Sequence, residues 1–457
     1  MVTRLDERRC DAAGDAIGIA VKTTPGAVES KSPPALLAWA VWGIAAIFYL
    51  TGFYQRVSPA VMTGELMRDF SIGAKDLGTL SAFYFYVYVA MQIPVGVLVD
   101  SWGARRLLIW GSLSAAVGTF IFGSTHDFAI ACLGRAVVGG ATAVGWLVVL
   151  KLATHWFPPQ RFAMLTGLGL FFGNVGALGA QVPLRLAIEH FGWRGVVLGS
   201  ASVILLVGVL AWLVVKDDPL DRGMRSYAPD SLREHSGSST LDLLKGFKRI
   251  FGYRNTWLIV FAQGGIVGPI LSFTGLWGTP FLRARFGIPA TTAAAVCSVM
   301  IVCWAISSPI SGHLSDRIGK RKPIYLAGAL IAAAGWIAMF HLKTLPLPAF
   351  TIIAAITSFA CGPVVIGFAA GKESVPARFL GTVTGAVNIG NMSGPAILQP
   401  AIGWVLDRQW SGQMANGFRV YDSGAFEKGF LLLMGWSVLS CILIALVRET
   451  NCKQNLV

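Results

Sequence analysis

The sequence predicts an all-α membrane protein of twelve transmembrane helices, built as two sequence-related halves. Three observations carry that prediction. The 457 residues are 54% hydrophobic and only 13% charged, which leaves too little polar surface to coat a soluble body of this size. The apolar residues fall in runs of roughly 18 to 25, the helical length that crosses about 30 Å of hydrocarbon. Short motifs in the first half of the chain recur in the second at a nearly constant offset, the mark of an internal repeat.

The elements follow in order. Residues 1–35 are polar and mixed in charge, which predicts a disordered cytoplasmic tail and no secretory signal. Six spans are expected near Leu37–Val57, Ala82–Val99, Leu107–Phe122, Phe128–Leu150, Ala163–Leu184 and Gly195–Val215, a first bundle over 36–215. Residues 216–255 carry many charges and few large apolar side chains, and read as a cytoplasmic linker. Six more spans are expected near Thr256–Trp277, Thr291–Ile310, Ile324–Phe340, Phe350–Ala370, Gly381–Val405 and Gly429–Val447, a second bundle over 256–447 before a tail at 448–457. With the amino terminus inside, roughly two thirds of the 37 Lys and Arg residues lie on the cytoplasmic side, as the positive-inside rule requires. The net charge of +14 is thus distributed by membrane side and is no nucleic-acid patch. Five of the seven cysteines, Cys132, Cys297, Cys303, Cys361 and Cys441, fall in spans without metal-ligand spacing, so neither disulfide nor metal site is expected.

The repeat is explicit in the residues. Gly96, Leu98, Asp100, Gly103, Arg105 and Arg106 follow the second span, and Gly312, Leu314, Asp316, Gly319, Lys320 and Arg321 follow the eighth, at an offset of 216. "PPQRFAMLTG" from Pro158 answers "PARFLGTVTG" from Pro376 at an offset of 218. Further on, Gly173, Asn174, Gly176 and Gln181 answer Gly390, Asn391, Gly394 and Gln399.

These residues resemble the signature of the major facilitator superfamily, in which G-x-L-x-D-R-x-G-R/K-R/K follows the second helix and recurs after the eighth. The second copy, "GHLSDRIGKRK" with Asp316, Arg317, Gly319, Lys320 and Arg321, fits throughout; the first, "GVLVDSWGARR", has Ser101 where the family usually has a basic residue. The resemblance implies two pseudo-symmetric six-helix bundles around a central cavity, with each loop Asp contacting the opposite bundle as a gate. Read without the family, the loop needs a Gly for close helix packing, an Asp near a helix end and a basic pair for lipid headgroups or a nearby carboxylate.

Unduplicated polar residues are the better candidates for handling a particular solute. No Asp or Glu lies in a span interior, so the embedded ionisable groups are basic, and such groups are functional by default. Arg135 is the leading one, about eight residues into the fourth span; its offset partner lies near Ile353, and "RAVVGGATA" resembles the family's fourth-helix R-x-x-x-G motif, associated with proton-coupled carriers. A structural Arg bonded within its own bundle is the alternative. Arg56 closes the first span as a carboxylate clamp or an interfacial snorkeller. Lys151 lies at the cytoplasmic end of the fourth span. Tyr49, Tyr54 and Gln55, then Tyr84, Tyr88 and Gln92 on one helix face, Trp146, and in the second half Gln263 and Asn388 complete the expected solute-binding set.

Basic groups without embedded carboxylates favour a solute that brings its own negative charge. The expected function is therefore secondary active transport, as symporter or antiporter, of a small anionic or zwitterionic metabolite: an organic acid, amino acid, short peptide or sugar phosphate. The expected partners are that solute and membrane lipids; a coupling proton is left open, with His155 as a titrating group near the end of span four. A proton-driven drug exporter is the first alternative, weakened because Gly176 is followed by Ala177 where such exporters have Gly-Pro. A transporter-like solute sensor is the second. No phosphate-binding loop, paired-His metal site or nucleophile elbow is present, so no enzyme and no cofactor is expected. The chain is expected to act as a monomer in a bacterial inner membrane.

Overall fold

The computed structural model describes residues 32–228, 246–376 and 379–454, apart from the side chains of Asp100 and Ala163. Nearly all of the expected 1–35 tail, residues 229–245 of the expected linker and residues 455–457 of the last tail lie outside them.

The described chain is helical throughout, save one two-stranded ribbon. Helix α1 spans Ala35–Val57 and runs into a 3-10 turn at Ser58–Val61; α2 is short, Thr63–Asp69; α3 covers Ala74–Trp102 and α4 Ala104–Ser124. The fourth span is two helices, α5 (Phe128–Thr142) and α6 (Gly145–Trp156), and α7 (Phe162–Gly179) and α8 (Val182–Val214) follow. Gly192, at φ +71°, kinks α8. In the second half α9 (Arg254–Ser272) passes through a π turn at Phe273–Trp277 into α10 (Gly278–Phe286). Then come α11 (Ala290–Ile318), α12 (Lys322–His341), α13 (Leu347–Ala360), α14 (Val364–Glu373), α15 (Leu380–Arg408) and α16 (Ser423–Leu446). The ribbon, β1 (Met414–Ala415) against β2 (Phe418–Arg419), precedes α16.

Eleven helical segments among the described residues are long and apolar enough to cross a membrane. The expected twelfth, α15, has ample length at 29 residues but falls short in apolarity. Its polar residues explain the difference: Asn391 and Gln399 are buried inside the protein, where lipid does not select for apolar side chains.

Helices up to Val214 pack mainly on one another, as do those from Arg254 onward, and α3 against α15 is the broadest contact joining the two groups. That seam is tight because glycines line it. A Cβ on Gly78 would overlap the backbone of Gln399, and one on Gly403 would overlap the backbone of Ala74. Packing of small residues replaces the hydrophobic effect as the force between helices in lipid.

Candidate functional site

The local sequence brings Arg56 and Arg135 to one aromatic ring. Asp127 caps α5, its carboxylate accepting the Ile130 N–H at 2.9 Å, which sets where that helix starts. One turn beyond Arg135, Gly139 lies so close to the Tyr84 backbone that no side chain fits. The approach delivers the Arg135 guanidinium to 5.2 Å from the Tyr84 ring centroid. Arg56, from α1, lies 5.7 Å from the same ring, 5.0 Å from Tyr88 and 4.4 Å from Phe53. Tyr84 and Tyr88 stack at 6.0 Å. The Tyr84 hydroxyl is held by the Gly52 carbonyl at 3.1 Å and Thr142 Oγ1 at 2.8 Å.

Both arginines are buried, at 5% and 1% exposure. Among the described residues neither has a carboxylate partner. Cation–π contact supplies part of the compensation, worth about 2 kcal/mol where water is excluded. Arg135 Nη1 donates to the Gln55 carbonyl at 2.7 Å, while its Nε and Nη2, and Nε of Arg56, have no partner. A buried guanidinium with unused N–H groups is suited to an anionic partner.

The two arginines differ in what they face. Arg135 is enclosed by α1, α3 and Phe122 of α4, inside the first half. Arg56 is ringed by side chains of α1 and α3, and α3 is the helix that meets the second half. One turn below Tyr88, Gln92 Oε1 accepts from Nδ2 of Asn388 on α15 at 2.8 Å, a bond between the halves.

The other expected solute contacts distribute as follows. Tyr49 packs against Trp146 at 5.2 Å and Phe53 at 5.0 Å, extending the aromatic wall. Tyr54 is half-buried. Gln55 turns the other way: its amide reaches Thr119 Oγ1 at 3.3 Å and Ser200 Oγ at 3.2 Å, so only its carbonyl serves the cluster. Lys151 lies far from the arginines and donates to the Val99 carbonyl at 2.5 Å, near the loop of the first motif. Gln263 is fully buried and donates to the Val364 carbonyl at 2.9 Å within the second half.

The duplicated loops lie at one end of the molecule, and their glycines do two different jobs. Gly96, expected to permit close packing, has open space where a Cβ would sit, and at Gly312 a Cβ would make only an ordinary contact with Val365. Gly103 and Gly319 are the constrained pair, at φ +84° and +71°, the left-handed region that turns the chain out of the preceding helix. The Asp100 side chain is outside the described residues. Asp316 pairs with Arg321 of its own loop at 2.5 Å, and among the described residues it has no hydrogen bond or ion pair to the first half. Arg321 also grips Glu373 at 2.6 Å, and its backbone N–H donates to Glu449 Oε1 at 2.9 Å. Glu373 first and Asp316 after it hold the Arg321 guanidinium above its ordinary value, against the opposing pull of burial. Arg106, Arg317 and Lys320 are exposed.

Sequence reasoning missed the acids that hold these loops. Asp217 accepts the Arg105 backbone N–H at 2.7 Å, and the Arg105 side chain donates to the Trp212 carbonyl at 2.8 Å. Glu449 does the same for Arg321 and Lys322 in the second half. Alongside, His155 contacts Asp218 at 2.8 Å, and Glu373 accepts from Thr450 at the position where the first half has His155. The signal was present: "KDD" from Lys216 and "RET" from Arg448 follow the sixth and twelfth spans in matching register.

At the other end, Asp407 on α15 accepts the backbone N–H groups of Ala74 at 3.1 Å and Lys75 at 2.9 Å, and Gln181 Nε2 donates to the Thr274 carbonyl at 2.9 Å. Both contacts join the two halves.

Fold and site together define a multi-pass helical membrane protein with a buried cationic centre. The Major Facilitator Superfamily profile matches residues 41–399 and, in a second overlapping match, 265–453, and the chain belongs to that family of transporters. The membrane sensor protein UhpC of Escherichia coli (strain K12) is 25% identical over 393 residues, covering 81% of this chain and 86% of UhpC. A putative tartrate transporter of Agrobacterium vitis is 22% identical over 438 residues, covering 89% of each chain. A crystal structure of a bacterial homolog to the human lysosomal transporter Spinster, inward-facing and unoccupied, superposes with a TM-score of 0.74 at 17% identity, covering 91% of this chain and 98% of that one.

Proposed function

We propose that this protein carries a small organic anion across the membrane by alternating access, with Arg56 as the cation that meets the solute. One observation carries the reading: two buried guanidiniums share the Tyr84 ring, and among the described residues no carboxylate neutralises them. A solute anion supplies the missing charge, and the planar fork of Arg56 suits a carboxylate, sulfonate or phosphate. Arg135 lies behind, fixing the Gln55–Arg56 turn through the Gln55 carbonyl and adding positive potential from inside the bundle. Tyr88, Tyr49 and Trp146 form the apolar wall, with Gln92 and Asn388 at the seam. The relative named as a tartrate transporter is in keeping with this solute class. The Asp100 and Asp316 loops are cytoplasmic in this reading, and the Asp407 end faces outward.

The test is uptake into proteoliposomes with labelled organic acids, amino acids, dipeptides and sugar phosphates. Saturable uptake of one anionic class, abolished by Arg56→Gln, is expected. Preference for a cationic drug would overturn the anion reading.

A second reading has a specific observation behind it, since UhpC is a membrane sensor. The same cluster would then bind an anion without moving it. Anion binding by calorimetry together with no uptake in proteoliposomes is the result that would select it.

A further inference from the structure

The seam between α3 and α15 carries more than packing. The two helices lie against each other from Ala74 and Asp407 down to Gln92 and Asn388. Each has an acid in its last turn, Asp100 on α3 and Asp407 on α15. At the Asp407 end the arrangement is complete. Oδ1 accepts from Ala74 N–H at 3.1 Å, from the Tyr421 hydroxyl at 2.5 Å and from Arg419 Nη1 at 3.3 Å; Oδ2 accepts from Lys75 N–H at 2.9 Å. Ala74 N–H also reaches the Tyr421 oxygen at 3.0 Å.

Ala74 and Lys75 are the first two residues of α3, whose N–H groups have no acceptor within their own helix. Gly73, their natural N-cap, has no side chain to offer. The cap comes instead from the other half of the molecule, more than 300 residues away. A Cβ on Gly73 would lie 2.7 Å from Asp407 Oδ1, so glycine is what leaves room for the foreign carboxylate. The backbone there is extended and would accept any residue.

We infer that Asp407 is the latch of the outer gate: an acid of the second half caps the first turn of α3 only while the two halves are closed at that end. Outward opening breaks the two hydrogen bonds from Ala74 and Lys75 to that carboxylate, together with the Ala74 contact to Tyr421, and strips the α3 terminus of its cap, while Arg419 and Tyr421 stay with Asp407 in the second half. The resemblance gives Asp100, at the other end of the same helix, the matching role in the opposite state. One helix pair thus carries an acid in the last turn of each helix, at opposite ends of the seam.

This rests on the alternating-access reading, but its test needs no solute. Hydrogen–deuterium exchange of the full-length protein in lipid nanodiscs reads both ends at once. In Asp407→Asn, amides over residues 74–80 should exchange roughly five- to tenfold faster, the loss expected of one cap. Amides over 380–388, at the opposite end of α15, should become more protected as the population shifts outward. Gly73→Ala displaces the carboxylate without altering it and should give the same pattern more weakly. Faster exchange confined to 74–80 in both variants, with 380–388 unchanged, would reduce Asp407 to a local cap and overturn the latch; so would unchanged exchange at both ends. If the reciprocal pattern appears in a protein that moves no anion in proteoliposomes, the latch stands and the transport reading falls.

Discussion

At the 218-residue repeat offset, Arg56 of the first half falls on Thr274 of the second, and Arg135 falls on Ile353. Where the first half buries two cations around Tyr84, the second closes the Thr274 hydroxyl onto the Ile270 carbonyl at 2.7 Å. Beside it Phe273, Phe281, Trp336, Phe340 and Phe430 pack ring on ring, the closest pair at 4.5 Å. The ends that carry the motif loops, by contrast, have stayed alike: a positive-φ glycine, then a backbone N–H capped by an acid from beyond the sixth or twelfth span. Helix frame and end caps are common property, while charge in the middle belongs to one half. On the proposed reading the solute-recognising chemistry is therefore one-sided, and the second half presents an apolar partner for the first to move against.

The largest test of that asymmetry exchanges charge for neutral bulk at matched positions. Arg56→Gln is expected to lower uptake about 100-fold, since hydrogen bonds to a charged group are worth about 1.5–3 kcal/mol and the lost charge adds to them. Thr274→Val, at the matching position, should stay within about threefold of the unaltered protein, as only one local hydroxyl bond is lost. Equal losses in both variants would mean that recognition is shared.

Arg135→Met comes next. It keeps the volume and removes a buried cation whose Nε and Nη2 have no partner. Uptake should fall about tenfold through a higher KM, while the thermal midpoint in detergent holds or rises, because a well-packed apolar replacement of a buried charge is often neutral or stabilising by about 1–4 kcal/mol. A lower midpoint with unchanged KM would make Arg135 purely structural.

The motif ends should differ in strength though not in design. Arg321→Ala removes the partner of Glu373 and Asp316 and is expected to cost about 2–3 kcal/mol, as a half-buried carboxylate is left behind. Arg105→Ala loses a side-chain bond to one carbonyl, about 1 kcal/mol, because the cap itself uses its backbone. Chemical unfolding curves of the two variants measure the gap.

The smallest effect is that of pH. Burial opposes the charged forms of Asp218 and Glu449, but hydrogen bonds outweigh it. Leu220 N–H, His155 and Ser226 hold Asp218 below the usual carboxylate range, and backbone N–H groups led by Arg321 do so for Glu449. A depressed folded-state value means that the stabilisation is fully present above the ordinary carboxylate range and is lost as pH falls through the depressed value. The carboxylate contribution should therefore be level from neutral pH to about pH 5 and decline below about pH 4, at both ends together. A decline beginning near pH 6 in melting curves of Asp218→Asn and Glu449→Gln alike would assign the acid sensitivity elsewhere.

Much of this was legible in the residues. Spans announce themselves because lipid tolerates little else, and α15 was found from its repeat and its apolar run although its polar, protein-facing residues dilute it. Arg56 and Arg135 were legible because an embedded cation is costly. Which of the two reaches Tyr88, one turn from the Gln92–Asn388 bond, was not, since that depends on helix rotation; Gln55, beside Arg56 in sequence, turns to α4 and α8 instead. Asp407 was invisible for another reason: an acid at a span end looks like ordinary interfacial decoration until its distant partner is known. Gly96 misled, because the same residue type serves packing in one place and turning in another.

The acids after the sixth and twelfth spans have a consequence for how the protein is made. Asp217 reaches the Arg105 turn 112 residues earlier, and that bond needs nothing from the second half. A chain leaving the ribosome can thus tie the start of its third span to the end of its sixth while the rest is still untranslated. Glu449 lies beyond the twelfth span, so the matching bond to Arg321 forms only after every helix of the second half has been made.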